Sequence, residues 1–65
     1  MTGTELKEWR KRLSLTQAGA AEAIGCGRRS IQQWEKGQYP IPRFIALACS
    51  AVSMNIAPYG SPANG

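Results

Sequence analysis

The 65-residue sequence predicts a compact all-α domain of four main helices, with room for a short fifth turn. Three observations carry this expectation. Apolar residues recur at the i, i+3, i+4, i+7 spacing of a helix with one buried face. Helix-starting threonines and helix-stopping glycines and prolines fall between the periodic stretches. No stretch alternates apolar and polar residues as a half-buried strand does.

The first helix begins near Thr2, because Thr2 and Glu5 have the spacing of a capping box. Leu6, Trp9, Arg10 and Leu13 then share one face, and Glu5, Lys7, Glu8, Lys11 and Arg12 cover most of the rest. Thr16 is a good N-cap for a second helix through Ala18, Ala20, Ala21 and Ile24. Gly25 stops it, since glycine enters the left-handed region without a Cβ penalty. The third segment runs from Arg28 to Glu35 and is closed by Gly37. Tyr39, Pro40, Ile41 and Pro42 read as an extended connection, because residues before proline avoid the helical region. A fourth helix starts near Pro42 or Arg43, with Phe44, Leu47, Ala48, Ala51 and Val52 as its apolar stripe. Pro58 and Gly60 are expected to end it, giving a domain over residues 1–57 and a loose tail over 58–65.

Composition narrows the function. The formal net charge is +4, which suits a polyanionic partner such as nucleic acid. The cations are grouped as Arg10, Lys11 and Arg12, then Arg28 and Arg29, with Lys36 and Arg43 separate. There is no histidine, and Cys26 and Cys49 form no CxxC pair, so neither a zinc set nor a thiol–base dyad is expected. The two cysteines read as small, reduced, partly buried thiols. Glu5, Glu8, Glu22 and Glu35 are the carboxylates, and helix charge pairs account for most of them. The expectation is a non-enzymatic, cytoplasmic domain without metal or cofactor, without a membrane span and without a small-molecule effector site.

The informative stretch is Thr16 to Gly37, TQAGAAEAIGCGRRSIQQWEKG. It reads as helix, sharp corner at Gly25-Cys26-Gly27, and helix, the layout of a helix-turn-helix whose second helix enters the major groove. At about 100° per residue, Arg28, Arg29, Gln32, Gln33 and Lys36 share one arc of that helix, opposite Ser30, Ile31 and Trp34. Arginine pairs bidentately with guanine and glutamine with adenine. Arg28 and Arg29 also sit at the positive end of their helix behind Gly27, a weaker cap than Ser, Asp or Asn. Such local conflict marks functional positions, and DNA phosphates or base acceptors would reverse it.

Arg10, Leu13, Leu15, Thr16-Gln17, Ala21, Ile24-Gly25, Ser30-Ile31, Trp34-Glu35, Gly37 and Pro42-Arg43-Phe44 together resemble the lambda repressor and Cro helix-turn-helix family, also called the xenobiotic-response-element family. The resemblance covers roughly Leu6 to Val52. It implies a phage or bacterial transcriptional regulator, most often a repressor and often autoregulatory, bound as a homodimer to an inverted-repeat operator in double-stranded DNA. It implies base reading by Arg28, Arg29, Gln32 and Gln33, and backbone contacts by Gln17, Ser30, Lys36 and Arg43. It also implies an ion pair between Arg10 and Glu35. The pair agrees with the position of Arg10 on the apolar face of the first helix, where a charge needs a partner.

This chain departs from the family at Ala20, where a large aliphatic residue is usual, at Gly19, and at Pro58, which interrupts the place of a fifth helix. Trp9 and Trp34 are expected to fill core volume. Val52, Met54, Ile56 and Tyr59 are the expected dimer surface. The alternative reading is an antitoxin-like or other protein-interaction module using the same fold.

Overall fold

The computed structural model describes residues 1–56 and 60. Four helices make up the regular structure: α1 (Gly3–Arg12), α2 (Gln17–Ile24), α3 (Arg28–Glu35) and α4 (Arg43–Ser53). No strand occurs among the described residues.

Local chemistry starts α1 and α2. Thr2 accepts from the Glu5 amide while Glu5 reaches back to the Thr2 amide, closing the capping box. Thr16 accepts from the Gly19 amide at 2.9 Å. A Cβ on Gly19 would press on that same hydroxyl at 3.2 Å and on the Leu15 side chain. The glycine thus keeps the cap uncrowded, which offsets its poor helix propensity. Gly27 caps α3 without any side-chain bond.

All four helices end the same way. Ser14, Gly25, Gly37 and Asn55 follow them with φ of 57°, 96°, 77° and 57°. The next amide in each case returns to the last turn: Leu15 to Arg10, Cys26 to Ala21, Gln38 to Gln33 and Ile56 to Ala51. This left-handed stop satisfies carbonyls that the helix leaves open and turns the chain sharply. It also corrects the sequence-based end of the last helix. Pro58 and Gly60 are not needed, because Asn55 ends α4 at Ser53, with Met54 as its cap. Asparagine tolerates the left-handed region better than other residues with a Cβ. The expected tail and domain boundary, with Pro58 and Tyr59, lie outside the described residues, Gly60 apart.

The core is small: Leu6, Trp9, Ala20, Ala21, Ile31, Ile45 and Cys49, with Leu13, Leu15, Ile24, Cys26, Trp34, Ile41 and Val52 packed around it. Trp9 fills volume as expected and also holds α4 in place. Its indole N–H donates to the Cys49 carbonyl at 3.1 Å and to Ser53 Oγ at 2.7 Å. The buried α4 residues are Ile45 and Cys49, which the stripe read from spacing omits; of that stripe Val52 does pack on the core. Phe44 and Leu47 are 67% and 60% exposed. The reason is that α4 has two apolar rows, Ile45-Ala48-Cys49-Val52 and Phe44-Leu47-Ala51-Met54. Periodicity cannot choose between two rows of equal spacing; the contact with Trp9 chooses.

Gly3 has a role that the sequence does not announce. A Cβ there would run into the Trp34 carbonyl oxygen and lie 2.9 Å from that of Glu35. The positive start of α1 therefore abuts the negative end of α3, a favourable arrangement of the two helix dipoles. Gly3→Ala should lower stability by about 1–3 kcal/mol through overpacking, although alanine is the best helix former. Denaturant unfolding of the variant checks this; a rise in the midpoint would mean that α1 and α3 do not approach so closely.

Candidate nucleic-acid interface

The candidate interface centres on α3, and a polar network sets how α3 sits. Arg10 on α1 grips Glu35 at the end of α3 with two parallel bonds, Nε to Oε2 at 2.7 Å and Nη2 to Oε1 at 3.1 Å. Its third nitrogen, Nη1, donates to the Leu15 carbonyl at 3.0 Å. The side chains are only 13% and 6% exposed, so water screens the pair little. Bidentate geometry of this kind is where arginine outperforms lysine.

Gln17, the first residue of α2, extends the network. Its Nε2 donates to Glu35 Oε1, and Gln32 Nε2 donates to Gln17 Oε1, both at 3.3 Å. The polarity follows from chemistry. An ionised carboxylate only accepts, so Gln17 must turn its NH₂ to Glu35 and its carbonyl to Gln32. Gln32 then answers with its own NH₂ and keeps its carbonyl oxygen free. Among the described residues no buried side-chain nitrogen or oxygen lacks a partner.

The remaining site residues separate into groups. Arg28 and Arg29 are the first two residues of α3 and are exposed; no acid occupies that first turn. Gln33 is half-buried one turn further along. Ser30 lies on the arc of Ile31 and is half-buried. Lys36 caps the C-terminus of α3 and is exposed. Arg43 opens α4, exposed and outside the network. A shallow depression between α1, α2 and α3 is lined by Lys7, Gln17, Gln32, Glu35 and Lys36. In the sequence Lys7 reads as ordinary helix charge. The signal that could have found it is its position one turn before Arg10.

Burial pushes the Glu35 carboxyl up, but hydrogen bonds from Arg10 and Gln17 and the charges of Arg10 and Lys7 outweigh it, and its pKa lies below the ordinary value. The hydrogen bond to Glu35 likewise raises that of Arg10. Both thiols go the other way: burial raises Cys26 and Cys49, so neither is an activated nucleophile. No helix among the described residues is long and apolar enough to cross a membrane.

Removing one partner of a buried ion pair costs on the order of 3–5 kcal/mol, because the other charge stays behind. Glu35→Gln should approach the lower end of that range, since Arg10 keeps some exposure and its bond to Leu15. Arg10→Met with Glu35→Leu should recover much of the loss, since neither leaves a buried charge. A depressed carboxylate contributes stability above its unfolded pKa and loses it as pH falls through the folded value. Wild type should therefore weaken as pH falls below the ordinary carboxylate range, and Glu35→Gln should weaken less steeply. Thermal melts across acidic pH test this; parallel curves for the two proteins would exclude a native-state role for the Glu35 charge.

Comparison with curated proteins and with solved structures gives no match. A family model does match: that of the helix-turn-helix domain, over residues 3–53, from the first residue of α1 to the last of α4. The match spans every helix described above, including α2 and α3 and the left-handed Gly25 between them; the chain belongs to the helix-turn-helix domain family and is a DNA-binding regulatory domain.

Proposed function

We propose that the protein is a sequence-specific repressor of the lambda repressor and Cro type, binding an inverted-repeat operator as a homodimer and reading the major groove with α3. The observation that carries this reading is the contrast within α3. Its inner face and far end are locked by Ile31, Trp34 and the Glu35 network, while Arg28 and Arg29 stand exposed on an uncapped first turn. Stability alone would put acids there. Arg28, Arg29 and Gln33 read base edges; Gln32 adds its free carbonyl, an acceptor suited to the exocyclic amino group of adenine or cytosine. Gln17, Ser30, Lys36 and Arg43 contact the sugar-phosphate backbone. A bare domain of this kind represses by covering a promoter, its own included.

A second copy is the occupant that best suits the outer face of α4. Phe44 and Leu47 on α4, and Met54 and Ile56 just beyond its end, are all more than half exposed. No charged residue follows Arg43 in the sequence. Two molecules of net charge +4 therefore meet with least repulsion through this neutral face. The surface differs from the one expected from sequence: Val52 packs on the core, and Tyr59 lies outside the described residues. Two-fold pairing would place two recognition helices about 34 Å apart on successive turns of the duplex.

Two measurements test this function. Against a duplex selected from a random pool, Arg28→Ala, Arg29→Ala and Gln33→Ala should include at least two variants that lose roughly 1–3 kcal/mol and relax preference at one base pair. Arg43→Ala should instead weaken all sequences alike and lower the salt slope by about one per protomer, whereas Gln17→Ala should weaken all sequences alike with the slope little changed, since glutamine carries no charge. Uniform losses from all three recognition-helix variants would mean that α3 does not read bases. In sedimentation, wild type should give two protomers per selected duplex and Leu47→Glu should dissociate the pair without unfolding. A strict one-to-one complex would rule the dimer out.

A further inference from the structure

Lys7 on α1 and Lys36 at the end of α3 line one depression together with Gln17, Gln32 and Glu35. Among the described residues the Arg10–Glu35 pair is the one ion pair, so neither lysine has a carboxylate at contact distance. The Glu35 oxygens are already taken by Arg10 and Gln17. Its charge is cancelled by Arg10, which leaves the depression with the two ammonium charges. Gln17 Nε2 uses one N–H on Glu35 and has a second to offer.

The position of this pocket along α3 says what it can meet. Arg28, Gln32 and Lys36 succeed one another every four residues on a single ridge. Eight residues of helix advance about 12 Å, which is about the width of the major groove. With Arg28 over the bases, the Lys36 end reaches the groove edge, where the strand backbone runs.

We propose that this depression seats one phosphate of the DNA backbone between Lys7 and Lys36, which makes α1 part of the DNA-binding surface. The inference rests on the DNA reading of α3 proposed above. Lys7 supplies a point charge from outside the helix-turn-helix, and the Gln17 amide, aligned by Glu35, supplies a directed donor. The phosphate completes a run of alternating charge: Arg10, Glu35, the two lysines, phosphate. Because the seat and the orientation of α3 share Glu35, a phosphate held there fixes how far α3 can rotate in the groove.

Lys7→Gln is the direct test, since Lys7 is exposed and carries no packing role. Arg12→Gln is its control: it removes the same charge from an exposed position about 140° around α1. On a short duplex of mixed sequence and on a selected one, Lys7→Gln should weaken binding by the same factor per protomer bound, roughly eight-fold at about 0.1 M salt, and reduce the salt slope by about one per protomer. Arg12→Gln should leave the slope unchanged, and Lys7→Arg should restore it. Methylphosphonate placed at single positions of the selected duplex should find one phosphate in each half-site whose neutralisation harms wild type but not Lys7→Gln. Equal salt slopes for Lys7→Gln and Arg12→Gln, with Arg28→Ala and Arg29→Ala still impaired, would overturn the seat alone. Unimpaired binding by the two arginine variants as well would overturn the DNA reading itself.

Discussion

The bidentate bond between Arg10 and Glu35 is the constraint on which the rest of this domain depends. A chain of this length buries a modest share of its surface, and two of the seven buried residues among those described are alanines. Such a core is attractive but poorly directional, since apolar burial scales with area and not with angle. The ion pair supplies direction. It joins α1 to the far end of α3, takes in the loop before α2 through Leu15, and reaches α2 itself through Gln17. A buried pair gives little net stability compared with a hydrophobic pair of equal volume. Its value here is that two fixed forks meet in one geometry only, so α3 has one orientation relative to the other helices.

That orientation explains why the exposed end of α3 tolerates its own bad chemistry. Arg28 and Arg29 at a helix start, behind an uncapped glycine, would fray an isolated helix of eight residues. The opposite end is clamped by Glu35, and Ile31 is fully buried between them. The cost of the unfavourable turn is thus met by tertiary contacts a turn or two away. The dipole that disfavours the arginines also favours a phosphate or a base acceptor, so the local penalty is specific to the unliganded protein.

Charge is divided along the chain in a way that matches this division of labour. Every charged residue lies at or before Arg43, and beyond that first residue α4 carries two apolar rows and no charge. One row is fixed inward by the Trp9 indole and its bonds to Cys49 and Ser53. The other row is left outward. A neutral apolar face beside a cationic one is the arrangement on which the proposed pairing of two copies rests, since it would keep their arginines apart and leave the cationic face open to a polyanion.

The number of helices, their starts and the arc of α3 were legible in the sequence, because caps, glycine stops and 3.6-residue periodicity are local and act before any tertiary contact forms. The helix-turn-helix corner was legible for the same reason: Gly25 is the cheapest left-handed residue. The stops at Ser14 and Asn55 were not, since a residue with a Cβ enters that region only when surrounding contacts hold it there. Sequence could say that a charge on the apolar face of α1 required a partner, and family resemblance could suggest Glu35. It could not say that Gln17 and Gln32 would be drawn into one polarised chain with it, because that depends on where three helices end relative to one another. Nor could it choose the inward row of α4, foresee Gly3 beneath the Trp34 carbonyl, or bring Lys7 opposite Lys36. Each of these is a distance between segments far apart in sequence, and only packing sets such distances.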